Sequence, residues 1–184
     1  MISNGQQPPD LVEISVVPIG RGLIGEADTW LVRPPRPVTS MARRFHGISD
    51  DQLATAPTAG EIADELRGAL DGRVFVAHNA GVDLGVVTRS LPGYQPGGTL
   101  DTLKLARRLL PGQASYRLGA LVETLDLAEG LPPDLVPHRA MYDAIVCARL
   151  LTRLASSGGQ PRTLDELLDA KPERRSDGSA ATLF

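Results

Sequence analysis

Cysteine occurs once in the 184 residues, at Cys147, so no intrachain disulfide can form and the chain suits a reducing compartment. Cys147 lies in an apolar helical stripe and reads as a small core residue rather than a nucleophile. Long hydrophobic runs are missing as well: none approaches the ~20 residues that a membrane-crossing helix needs. The polar SNGQQPPD after Met1 is no secretory signal, and the cytoplasm is the expected compartment. Lysine is scarce. Of the 19 basic residues only Lys104 and Lys171 are lysines, and the formal net charge of −3 gives no bulk attraction to nucleic acid. Any such binding has to be local and metal-assisted. Histidine is also scarce: His46, His78 and His138 are the three.

What is present is ordinary for one well-buried domain, with 42% hydrophobic and 22% charged residues. Leu11 to Val17 reads as a strand, and glycines 20, 22 and 25 lead to a second near Thr29 to Val32, pairing as a hairpin. A short helical piece around Ser40 to Phe45 precedes HGIS. Thr58 and Glu61, in capping-box spacing, open a helix to about Leu70. RVFVA is a strand delivering His78 to a helix from about Ala80 to Ser90. TLDT is a further short strand, followed by helices near Leu103 to Leu110 and Arg117 to Leu127. The helix from about Arg139 to Ala155 carries Ala140, Ala144, Cys147, Leu151 and Leu154 on one face. Thr163 and Glu166 cap a short helix through Ala170, and KPERRSDGSAA reads as flexible.

His78 stands five residues before Asp83, and His138 five before Asp143; each pair falls where a loop hands over to a helix. Asp143 borders an apolar stripe, where a carboxylate is costly to bury without a cation or hydrogen-bond partner. Taken singly, Asp83 is a first-turn aspartate favoured by the helix dipole and His138 a surface residue. Their joint occurrence in two strings argues for a site.

In order and spacing, LVEISVV, LVRPPRPV, HGIS, HNAGVD, DTLKLARRLL and HRAMYDA resemble the DEDDh (DnaQ-like) 3′–5′ exonucleases, the group that includes the proofreading epsilon subunit of bacterial DNA polymerase III. The resemblance implies an α/β fold, a ribonuclease H-like mixed sheet flanked by helices, spanning residues 1–156, with 157–184 as a short helix and flexible tail. It implies two divalent metals, Mg²⁺ or Mn²⁺, and release of nucleoside monophosphates from single-stranded or frayed 3′ ends of DNA or RNA. Asp83 and Asp143 match metal-binding carboxylates, and His138 the general base. His78, Asn79, Phe45 and His46 match positions lining the pocket for the terminal nucleotide. Two metals need several anionic ligands, and a base has to be neutral near pH 7, as imidazole is. Asp101 is expected to be structural, capping the next helix, and Glu13 to stand outside the metal site.

In the resembled family a central strand ending in Asp-x-Glu precedes the equivalent of PDLVEI. Counting back from LVEI puts Met1 just after that glutamate, so the first central strand and both carboxylates are missing from this sequence. The chain is therefore expected to be N-terminally truncated, with a start upstream, and to be impaired as it stands. A catalytically silent 3′-end-binding or polymerase-associated scaffold is the alternative. The terminal SAATLF loosely resembles apolar peptides ending in Leu-Phe that dock on the bacterial sliding clamp. A DNA polymerase or clamp contact through Leu183 and Phe184 is one reading of it, and an unstructured terminus is the other.

Overall fold

The computed structural model describes residues 1–158 and 160–168. In chain order these form β1 (Ile2–Ser3), β2 (Leu11–Val16), β3 (Ile19–Gly20), β4 (Leu23–Ile24), β5 (Asp28–Leu31), α1 (Ser40–His46), α2 (Asp50–Leu53), α3 (Ala63–Leu70), β6 (Val74–Ala77), α4 (Ala80–Ser90), β7 (Gly98–Asp101), α5 (Thr102–Leu109), α6 (Leu118–Thr124), α7 (Ala140–Ala155) and α8 (Leu164–Leu168). The hairpin expected between the first two strands is the antiparallel pair β2 and β5, with Ile14 opposite Trp30 and Val16 opposite Asp28. A two-residue ladder, β3 with β4, was not anticipated. Arg21 and Gly22 at its tip both take positive φ, 53° and 79°, which a tight hairpin turn demands.

β6 and β7 pair in parallel, Val76 opposite Leu100, with α4 as the crossover that a parallel pair requires. β2 does not alternate. Leu11, Val12, Glu13 and Ile14 are all buried, because helices cover both faces of the strand. Leu11 and Ile14 pack with Leu66, Leu70, Val86 and Val87 of α3 and α4. Val12 packs with Ile2, Ile48, Leu53 and Ala140. The largest core lies between α5, α6 and α7, where Leu105, Leu121, Leu150 and Leu154 meet. Leu167 of α8 joins this cluster, so that part of the C-terminal stretch is docked on the same core. Residues 169–184, including Leu183 and Phe184, lie outside the described residues.

Two local expectations shift. The Thr58–Glu61 capping box forms, Thr58 N–H donating to Glu61 Oε2 at 2.7 Å and Glu61 N–H to Thr58 Oγ1 at 3.4 Å, but the chain makes turns before regular helix begins at Ala63. α2 was not foreseen, although Ser49 and Gln52 make a complete capping box at its start.

The mixed sheet does not close into one. β1, β2 and β5 form one piece and β6 with β7 another. β1 is two residues long, with Ile2 opposite Glu13, so on that side of β2 the residues from Ile14 onward have no strand partner among the described residues. One edge of β6 likewise has no strand partner among the described residues. Between them lies a cavity of about 970 Å³ lined by Ile14, Ser15 and Val16 and by Val74 to Ala77. Backbone groups facing such a space lack their ladder partners, at roughly 1–3 kcal/mol for each one left buried and unsatisfied.

Candidate active site

The string VAHNAGVD is a strand end, a sharp turn and a helix start. β6 stops at Ala77, and Asn79, with φ 68°, takes the left-handed conformation that swings the chain into α4. Asparagine tolerates this better than most residues. Asp101 ties the neighbouring junction to it. Its Oδ1 accepts from Asn79 N–H at 3.1 Å and from Leu103 and Lys104 N–H at 3.0 and 3.3 Å. The expected cap of α5 is there, and it also fixes the turn that carries Asp83. His78 is held at both ring nitrogens. Nδ1 lies 3.0 Å from Thr102 Oγ1, and Nε2 lies 2.8 Å from the Tyr116 carbonyl oxygen. A carbonyl only accepts, so Nε2 carries the proton, and burial holds the imidazole pKa below its ordinary 6.5. His78 therefore has no free ring nitrogen to offer, whereas Asn79 is exposed.

The string PHRAMYDA builds the other half. His138 sits at φ 67°, and its backbone N–H donates to Asp143 Oδ1 at 3.4 Å. Its exposed ring packs on Phe45 of α1, centroids 3.9 Å apart and planes inclined at 36°. Gly47, φ 75°, ends α1 just beyond Phe45 and His46. His46 is buried, and its Nδ1 accepts from Ile48 N–H at 3.1 Å.

Arg139 at the N-cap of α7 contributes no side-chain cap. Glu13 does that work from β2. Its carboxylate accepts from Ala140 N–H at 2.7 Å and from Arg139 Nη2 at 2.5 Å. Only 2% of Glu13 is exposed. The sequence reading expected Glu13 to stand outside the metal site, and its role as anchor of the His138–Asp143 turn was missed. An acid in the middle of an apolar strand, with a basic residue beside a candidate catalytic histidine, was the available signal.

Asp83 and Asp143 both line the cavity, at the end marked by Met1. The Met1 backbone nitrogen lies 3.8 Å from Asp83 Oδ1. Burial is the first cause that raises both carboxyl pKa values above the ordinary 3.8, and the Asp143 charge adds to the effect on Asp83. Two half-hidden carboxylates that repel each other gain from a cation between them. They suit a magnesium ion, which is commonly held by one or two carboxylates with water and substrate phosphate oxygens completing the shell. Two such ions need more anionic ligands. Among the described residues no group of three or more His, Cys, Asp or Glu could hold a metal. Cys147 is no ligand: it is buried and its thiol pKa is pushed up to about 11.

Asp83 thus stands in the first turn of α4 and Asp143 in the first turn of α7, with His138 just ahead of the second helix. A family model described as exonuclease, of the RNase T kind, matches residues 1–151, and the chain belongs to that family. It is 37% identical over 149 residues to exodeoxyribonuclease 10 of Escherichia coli K12, covering 81% of this chain and 64% of that protein. The chain thus spans less than two thirds of that relative's length. The solved structure of exonuclease X in complex with 5′ overhanging duplex DNA superposes with a TM-score of 0.75 at 34% identity, covering 91% of this chain and 94% of that one. The nuclease domain of 3′hExo, a DEDDh family member bound to rAMP, shares the fold at TM-score 0.66 and 17% identity, covering 88% of this chain and 90% of that one. The family generally uses divalent metals. Among the described residues, no helix is long and apolar enough to cross a membrane.

Proposed function

We propose that Asp83, Asp143 and His138 are the share of a metal-dependent 3′–5′ exonuclease site carried by residues 1–184, acting on the 3′ ends of single-stranded or frayed nucleic acid. The observation that carries this reading is the convergence of Asp83, in the first turn of α4, and Asp143, in the first turn of α7, at one end of a cavity, with His138 tied to Asp143 through its backbone N–H. A divalent ion held by the two carboxylates would supply Lewis-acid activation of the scissile phosphate. His138 Nδ1 or Nε2 takes the proton of the attacking water, and the exposed ring reaches solvent and substrate alike. Phe45 keeps that ring from rotating freely and offers an apolar face to the terminal base. Exposed Asn79 is available to a sugar or phosphate oxygen. DNA is the first substrate to test, because the 37% identical relative is an exodeoxyribonuclease.

Hydrolysis at full rate requires further carboxylates beside Asp83 and Asp143. A strand ending in Asp-x-Glu next to Met1 would bring them. Residues 1–184 alone are then a weak exonuclease or a silent 3′-end-binding module. The deciding assay is nucleotide release from a 3′-labelled single strand in Mg²⁺ and Mn²⁺, using this chain, the same chain extended by a strand ending in Asp-x-Glu, and Asp143→Asn in each. Release that rises with the extension and vanishes in Asp143→Asn supports the nuclease. Tight 3′-end binding without release in either chain supports the binding module.

A further inference from the structure

We infer that Lys104, Arg107 and Arg117 form a cationic track that holds the phosphates of a nucleic-acid strand on the 5′ side of its terminal nucleotide, without the help of a metal. Charge is unevenly placed along this chain. Residues 102–122 hold four basic residues and no acid, in a chain whose formal net charge is −3. Asp101, the acid just before that run, spends its Oδ1 on the N–H groups of Asn79, Leu103 and Lys104. Lys104, Arg107 and Arg117 are all exposed. Among the described residues none of the three forms a salt bridge, whereas Arg33, Arg36, Arg67 and Arg139 each face a carboxylate. Exposed cations with no acid to answer them add nothing to the fold and attract anions from solution.

Two elements bring the three together beside the candidate site. On α5, Leu105 and Ala106 are buried in the core shared with α6 and α7, which turns Lys104 and Arg107 toward solvent. One helical turn separates these two, ~4.5 Å along the axis at 1.5 Å per residue. Arg117 is the N-cap of α6, and the loop before it is pinned twice. The Tyr116 hydroxyl donates to the Leu110 carbonyl at 2.9 Å, and the Tyr116 carbonyl accepts from His78 Nε2 at 2.8 Å. Both elements are thus tied to the His78–Asn79 turn that opens α4 and carries Asp83. Lys104 N–H and Asn79 N–H share one Asp101 oxygen. Arg107 stands close enough for its charge to reach the His78 ring, where it adds to burial in lowering the imidazole pKa.

The chemistry of the three names the ligand. A guanidinium fork matches the geometry of a phosphate, and lysine binds the same group as a point charge. A row of such cations suits the regularly spaced charges of one strand, and surfaces of this kind hold single strands by their backbone. A strand whose 3′ end lies at Asp83 and Asp143 has to leave the site across one of its borders, and the Asn79 border offers it this row. That the held stretch lies 5′ of a 3′ end rests on the exonuclease reading; that the three residues hold a strand does not.

The test is equilibrium binding in EDTA, where metal-dependent cleavage is absent. Fluorescence anisotropy follows a 5′-labelled oligothymidylate of about four nucleotides and one of about twelve, a range typical of single-strand sites. The proteins are the full chain, the triple variant Lys104→Gln, Arg107→Gln and Arg117→Gln, and Arg153→Gln as control. Arg153 is exposed and lies ten residues beyond Asp143 on α7, ~15 Å along the axis. The full chain should bind the longer strand at least about tenfold more tightly than the shorter. The triple variant should lose about tenfold or more on the longer strand, and its salt slope should fall by about two, at ~0.7 per phosphate contact. Arg153→Gln should change neither. Where the triple variant melts early, each single variant should still lose about fivefold. Unchanged binding in the variants, or an equal loss in Arg153→Gln, overturns the track. So does capture of phosphatidylglycerol vesicles, but not of the longer strand, through the three residues, which would assign the surface to a membrane. Length- and salt-dependent binding with no Asp143-dependent cleavage would sink only the exonuclease reading. Cleavage by a chain whose binding ignores the three residues would sink only the track.

Discussion

Glu13 and Arg139 are 126 residues apart and form a fork. Arg139 Nη2 lies 2.5 Å from Glu13 Oε1, and Arg139 Nε is 3.2 Å from both carboxylate oxygens. The same carboxylate receives Ala140 N–H at 2.7 Å. One buried acid on β2 thus fixes both the start of α7 and the residue after His138, and through them the position of Asp143.

Arg139→Ala leaves that carboxylate buried without its cation. Breaking a buried pair costs 3–5 kcal/mol, and because the Arg139 side chain is 38% exposed a loss of ~2–3 kcal/mol is expected. Urea denaturation measures it. Glu13→Gln, which retains an acceptor for Ala140 and leaves no unpaired buried charge, should lose less; equal losses in the two variants would mean that the uncompensated carboxylate is not the source of the cost.

Cys147 should be inert in the folded protein. Its thiol is buried with a pKa pushed up to about 11, so almost no thiolate exists at pH 8. A chromogenic disulfide reagent should titrate no thiol in native protein and one per chain in denaturant.

His78 makes stability depend on pH in a definite direction. Burial depresses its folded pKa below the ordinary 6.5, so the unfolded chain binds the extra proton more readily. The contribution is complete above about pH 6.5 and is lost as pH falls through the lower folded value. Stability measured by denaturant should fall over that window, less steeply in His78→Gln. An NMR titration of the His78 ring with a midpoint at or above 6.5 would contradict this.

Phe45 is 63% exposed, so Phe45→Ala should leave stability within about 0.5 kcal/mol. In a cleavage-competent chain the same change frees the His138 ring, and a loss of about tenfold in kcat is expected. Single-turnover kinetics on a 3′-labelled strand separate this from weaker binding. Phe45→Tyr, which keeps the ring, should recover most of the rate.

Leu150 tests the core. It is fully buried between α5, α6 and α7, and Leu150→Ala should cost 2–5 kcal/mol, read from the shift in denaturant midpoint at constant slope.

The sequence by itself determined what is local. The 3.6-residue periodicity of α4 and α7 put Asp83 and Asp143 in first turns, the Thr163–Glu166 box opened α8, and Asp101 capped α5, because caps and amphipathic stripes need only neighbouring residues. Asn79 and His138, both at positive φ, were named from their strings and not from their backbone, since a side chain other than glycine rarely advertises that conformation. Tertiary structure alone decided the rest. His78 spends both ring nitrogens on Thr102 and Tyr116, 24 and 38 residues away. Glu13 finds Arg139 across the domain, and Phe45 meets His138 from a different helix. Pairings between distant residues depend on how whole elements pack against one another, and no local pattern of side chains encodes that.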